Sequence, residues 1–179
     1  GAFSTIGGGQ NNCAIACNSI IGGGSSNTIS GAYSIYSSIL GGINNRILEN
    51  SYSNIVGGLS NTICNCYAFN SIGGGCGNLI SDGAAGATIS GGRGNCTNQF
   101  YGTIGGGCNN TASGYKSGIF SGQVNSTTND SAFIGGGSLN VGGGIKSSVS
   151  GGCLNIASGN SATISGGRAN CSVGVRSFI

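Results

Sequence analysis

An aliphatic residue, glycine two and three positions later and asparagine six positions later return together along all 179 residues of this chain. The aliphatic anchors are Ile6, Ile21, Ile39, Ile55, Ile72, Ile89, Ile104, Ile119, Ile134, Val149 and Ile164, and Ile179 opens a further unit. Their spacings are 15, 18, 16, 17 and 17 residues, then six consecutive fifteens. The glycine three residues after the anchor is present in every complete unit. The one before it is replaced only once, by Ser121. The asparagine never varies: Asn12, Asn27, Asn45, Asn61, Asn78, Asn95, Asn110, Asn125, Asn140, Asn155 and Asn170. A fixed period of this kind is the mark of a repeat architecture, in which each unit buries its apolar face on the next.

Fifteen residues are too few for a helical hairpin, and the unit is full of Gly, Ser, Asn, Thr and Ile, which helices disfavour. They suit one coil of a β-solenoid, stacked on its neighbours at about 4.8 Å through β-ladder hydrogen bonds. The expected fold is all-β: a β-solenoid or β-roll of about eleven coils of 15–18 residues, forming one domain over 1–179 with longer coils at 21–88. The β-branched anchor points inward. Two residues earlier, on the same face, the side chain is usually small: Ser4, Ser37, Ser53, Ala87, Ala132, Ser147, Ala162, Ser177. Eight residues after the anchor comes a second core site, with Ala14, Ile29, Ile47, Ile63, Ile80, Ala112 and Ala157. Each coil thus supplies two short strands around a thin interior. The asparagine marks the corner between them, in left-handed backbone geometry, its amides stacked along the axis. The glycine pair serves special dihedrals or the close approach of another backbone.

Composition removes most other classes. Forty glycines without proline exclude collagen. Nine charged residues are too few for a charge-rich disordered chain, and a net charge of +3 is too small and scattered for a nucleic-acid footprint. No apolar run approaches the roughly 18–20 residues of a membrane helix, so no membrane span is expected in this segment. The chain begins and stops inside its repeat, which reads as a fragment of a longer fibre. With no histidine, and carboxylates only at Glu49, Asp82 and Asp130 on separate coils, no catalytic residue, cofactor site or metal site is expected. The chain reads as a non-enzyme. No CxxC pair suggests zinc, and no Gly-Lys-Ser/Thr follows the glycine clusters. Cys76, Cys108 and Cys153 share the position after the glycine pair, and Cys13, Cys96 and Cys171 the one after the asparagine. Cys96 with Cys108, and Cys153 with Cys171, fall on adjacent coils and could pair within or between chains. Buried small hydrophobes are the equal alternative.

The stretch "IGGGCNNTASGYKS" (104–117) resembles the glycine-rich head repeat of trimeric autotransporter adhesins of the YadA type. It is still more similar to the IGGG…N…ASG…S repeats of long bacterial surface proteins and of phage or large-virus fibres. The resemblance spans the whole chain. It implies a β-roll or β-solenoid, three chains assembled in parallel, and a place in the stalk or head of an attachment fibre. The partners it implies are further copies of the chain and a host surface glycan or protein, and the location is extracellular, on a cell or virion surface. The alternative class is the subunit of a self-assembling extracellular filament with a mechanical role.

Three residues before the anchor lies an outward position that carries Phe3, Tyr36, Tyr52, Phe69 and Tyr101, then Lys116, Ser131, Lys146, Ser161 and Arg176. Tyr67 joins this group from the long coils, whose extra residues all fall between the second core site and the next anchor. Tyr36, Tyr52, Tyr67, Phe69, Tyr101, Lys116, Lys146 and Arg176 form the candidate binding stripe. The competing reading is aromatic stacking that stiffens the sheet, with the cations discouraging lateral aggregation.

Overall fold

The computed structural model describes residues 1–64, 67–81 and 83–179. Two parallel sheets of eleven strands each run the length of the molecule in chain order. One is built from the strands that carry the anchors, from β1 (Thr5–Ile6) to β21 (Thr163–Ile164). The other follows the asparagine corner, from β2 (Cys13–Ala14) to β22 (Cys171–Ser172). Register is set anchor to anchor, Ile104 lying between Ile89 and Ile119. The fold is the expected β-solenoid.

A third column of pairing runs between the two sheets. The residues four after each anchor, from Gln10 to Arg168, form single parallel bridges coil to coil. Sequence reading missed this column. Gln, Ser, Ile, Leu, Cys and Arg all occupy it, because only the backbone is paired there.

From Ile21 to Ile164 every anchor is buried completely or to within 1%. Ile6 departs from expectation. It is 45% exposed, because the first coil has no neighbour on one side. The opposite wall explains the long coils. Ile29, Ile47, Ile63 and Ile80, all fully buried, fill the second core site in the coils of 16–18 residues. In the 15-residue coils that follow, the site shrinks to Thr97, Ala112, Thr127, Gly142, Ala157 and Ser172. A second isoleucine per coil needs a longer loop of chain to enclose it. The extra residues also lengthen the second-sheet strands to three residues at β4 (Thr28–Ser30), β6 (Arg46–Leu48) and β8 (Thr62–Cys64). Ser34, Asn50 and Asn70 are buried with them. Asn70 donates to the Ala84 carbonyl and accepts from the Ala87 N–H. In the short coils, size is traded across the interior. A Cβ on Gly102 would lie 2.0 Å from Thr97 Oγ1, so glycine there makes room for the threonine.

The invariant asparagine makes the same three contacts in coil after coil. Asn110 Nδ2 donates to the Gly106 carbonyl of its own coil at 3.0 Å and to the Gly122 carbonyl of the next at 2.9 Å. Its Oδ1 accepts the Asn125 N–H at 3.0 Å. The backbone N–H to Oδ1 bond recurs from Asn27 to Asn170. Asn12 and Asn170, at the two ends, are half-buried, and the asparagines between them are buried. One expectation about this residue is corrected. The asparagine itself is not left-handed; the residue before it is, with φ from +53° to +64° whether it is Asn109, Val124, Leu139 or Gly94. A left-handed non-glycine residue costs on the order of 1–2 kcal/mol. Here its N–H is engaged in a coil-to-coil bond that offsets the strain, as in Val124 to the Cys108 carbonyl at 2.9 Å.

The two glycines of the pair have different physics. The second, from Gly9 to Gly167, sits at φ +88° to +105°. From Gly9 to Gly152 a Cβ there would fall 2.0–2.3 Å from the carbonyl oxygen of the next coil's glycine. Only glycine fits. At the first, a Cβ on Gly23, Gly41, Gly91 or Gly106 would meet nothing within 4 Å, which is why Ser121 is accepted.

Two outcomes follow. Gly107→Ala should destabilise the protein by more than about 3 kcal/mol, while Gly106→Ala stays within about 0.5 kcal/mol, as read by chemical denaturation. Ile104→Asp, which puts a charge in a thin dry interior, should abolish cooperative melting and the local β signal in circular dichroism.

Candidate binding stripe

The stripe position is the second left-handed corner of the coil. From Phe3 to Arg176 every residue three before an anchor has φ between +51° and +66°, including Tyr36, Tyr52, Phe69, Tyr101, Lys116 and Lys146. From Asn18 onward each N–H reaches the preceding coil, as in Lys116 to the Phe100 carbonyl at 3.0 Å and Lys146 to the Asp130 carbonyl at 2.9 Å. The side chains are thereby thrown outward at the pitch of the ladder. All eight stripe residues are exposed.

They do not form one surface. Tyr36, Tyr52 and Phe69 are stacked along the axis, with centroids 5.3 Å apart and planes within 16°. Their faces are spent on one another, so this segment fits the stiffening role. Further along, the rings tilt instead. Tyr67 meets Phe100 at 5.1 Å and 59°, Phe100 meets Tyr101 at 52°, and Tyr101 meets Tyr115 at 76°. These tilted rings remain about half exposed at Tyr67, Tyr101 and Tyr115. Lys116 Nζ lies 5.0 Å from the Tyr115 ring centroid, a cation–π contact that ends the aromatic cluster. Phe100 and Tyr115 were not singled out from sequence. Both lie four residues before an anchor, a column otherwise filled by residues as unlike as Cys17, Ala68 and Asp130.

A second feature escaped sequence reading. On the outer face of the anchor sheet, Phe120 and Phe133 flank a floor of Gly105, Gly118 and Ile119, an apolar cleft of about 340 Å³. Its signal was two aromatics on consecutive coils beside glycines. The same face exposes Ile20, Leu40 and Val56.

The polar chemistry is sparse. Glu49 accepts the Tyr33 N–H at 3.4 Å and Asp130 the Tyr115 N–H at 3.3 Å, so both carboxylates serve turn backbone. Asp82 lies outside the described residues. Among the described residues there is no group of three or more His, Cys, Asp or Glu able to hold a metal ion, and no helix long and apolar enough to cross a membrane. Of the eight described cysteines, Cys13, Cys17, Cys76, Cys96, Cys108, Cys153 and Cys171 are free thiols, and Cys66 lies outside the described residues. Neither Cys96–Cys108 nor Cys153–Cys171 is bonded. None of the eight is buried either, because both columns point outward from the sheets. The half-buried Cys96 has its thiol pKa pushed up by desolvation, partly opposed by a hydrogen bond with Ser81.

No protein-family model matches the chain, and no curated protein matches it either.

Truncation of either aromatic segment should be felt. Tyr52→Ala removes two stacked contacts and Tyr101→Ala two tilted ones, and each should lower stability by about 1–2 kcal/mol in the same denaturation assay.

Proposed function

We propose that this chain is a non-enzymatic structural segment of an extracellular or virion attachment fibre, a rigid stalk or head that presents its corner stripe to a receptor. The observation that carries the reading is the unbroken asparagine–glycine ladder. It holds ten coil-to-coil junctions at one geometry and leaves the outward positions free to vary. At about 4.8 Å per coil, eleven coils span about 53 Å. The similarity of "IGGGCNNTASGYKS" (104–117) to adhesin and fibre repeats points the same way.

The assembly belonging to this reading is a parallel homotrimer. Its support is the outer face of the anchor sheet, where Ile20, Leu40, Val56, Phe120 and Phe133 are exposed on otherwise small-residue lanes. Apolar side chains gathered on one face of a rod suit contact with another copy. The receptor-facing surface is then the stripe corner. Native mass spectrometry with light scattering tests the assembly. A discrete trimer is the expected result, an open-ended polymer would favour a mechanical filament subunit, and a stable monomer would overturn both.

A further inference from the structure

The receptor class can be narrowed from the cationic half of the stripe, an inference that rests on the corner being the exposed, ligand-facing surface. Lys116 and Lys146, the only lysines in the chain, stand with Arg176 in one column, separated by Ser131 and Ser161. All five are exposed and all have φ between +55° and +57°. Their N–H groups are bonded to the coil before, from Lys116 to Phe100 through to Arg176 to Asn160, at 2.8–3.0 Å. The backbone therefore fixes a cation at every second coil, about 9.6 Å apart at ladder pitch. Among the described residues no acidic side chain forms an ion pair with any of the three. The nearest acidic side chain along the chain, Asp130, is turned to the Tyr115 N–H.

That spacing selects among polyanions. Nucleic-acid phosphates come at about 3.4 Å per strand along a duplex, too dense for cations at every second coil. Acidic side chains on one face of an extended peptide repeat at about 6.6 Å, again out of step. A linked hexose ring is about as long as one coil is high. A polysaccharide with an acid group on alternate sugars would therefore meet a cation, then a serine hydroxyl, then a cation. At the upper end of the lane, the partly exposed rings of Tyr101 and Tyr115 offer apolar surface to sugar C–H groups, beside Lys116.

The geometry points to a linear acidic polysaccharide, charged on alternate sugars, lying parallel to the rod axis along the corner from Tyr101 to Arg176. The charges act through solvent, so attraction depends on ionic strength. The three cations set the register, and the exposed parts of the tyrosine rings hold the neutral end.

The test uses the whole chain in its native assembly with four probes: a hyaluronan oligosaccharide, a heparin oligosaccharide, neutral dextran and single-stranded DNA. Hyaluronan, with one carboxylate per two sugars, should bind, heparin should gain little from its denser charge, and dextran should not bind. A shift from about 0.05 M to about 0.2 M salt should weaken binding severalfold, as screening of three exposed cations requires. The triple variant Lys116→Ser, Lys146→Ser, Arg176→Ser should lose at least about tenfold in affinity. It should melt as the parent does, since Ser131 and Ser161 already hold the same corner geometry. Binding by heparin alone, which carries acid groups on every sugar, would show that charge density and not alternate spacing is what the corner reads, and would overturn the inference. Failure of both sugars, undiminished binding by the triple variant, or equally tight binding of DNA would overturn the inference. The mass of the same sample separates this from the fibre reading: a trimer that ignores the sugars sinks only the ligand, and a monomer that binds them sinks only the assembly.

Discussion

The asparagine amide holds this molecule to one shape. Its two N–H groups tie a glycine carbonyl of its own coil to a glycine carbonyl of the next, and its oxygen takes the N–H of the following asparagine. These are buried amide bonds, and leaving any one of their partners unmade costs about 1–3 kcal/mol. No other side chain has a planar donor pair and an acceptor at that reach. The second glycine of the pair is its counterpart. A Cβ there would strike both the next coil's carbonyl and the asparagine nitrogen, which lies 2.7 Å from the ideal Cβ position at Gly107. Asparagine and glycine are therefore fixed together, while the anchor accepts Val149 in place of isoleucine.

With the coil-to-coil geometry held by backbone and amide, the core has modest demands. A 15-residue coil encloses one anchor and a small opposing group, and each added residue opens space for a second isoleucine. The long coils at 21–88 are thus a thicker part of the same rod. Their tyrosines at the stripe are largely stacked on one another, and the tilted rings and the cations lie beyond them.

Much of this could be read from the chain. The anchors, the asparagines and the alternation of inward and outward positions follow from residue type and period, and the structure buries them as read, apart from Ile6 at an uncovered end and from the left-handed turn, which falls one residue before the asparagine. What could not be read was set by backbone. The bridge column from Gln10 to Arg168 leaves no side-chain trace, and the left-handed corners at Val124, Leu139, Tyr52 and Lys116 go against residue preference because a hydrogen bond from the adjoining coil sustains them. The cleft between Phe120 and Phe133 depends on which residues lie side by side on consecutive coils, which the repeat frame shows only once its register is known.

The asparagine ladder also has a sense. Every link runs from a backbone N–H to the Oδ1 of the coil before it, so one terminus of the column offers a donor and the other an acceptor. Two such columns can be joined only head to tail, donor against acceptor. A mirrored join would bring like groups face to face. Any rod extended through this ladder is therefore a vector, with all its coils ascending in one direction and its two tips chemically distinct.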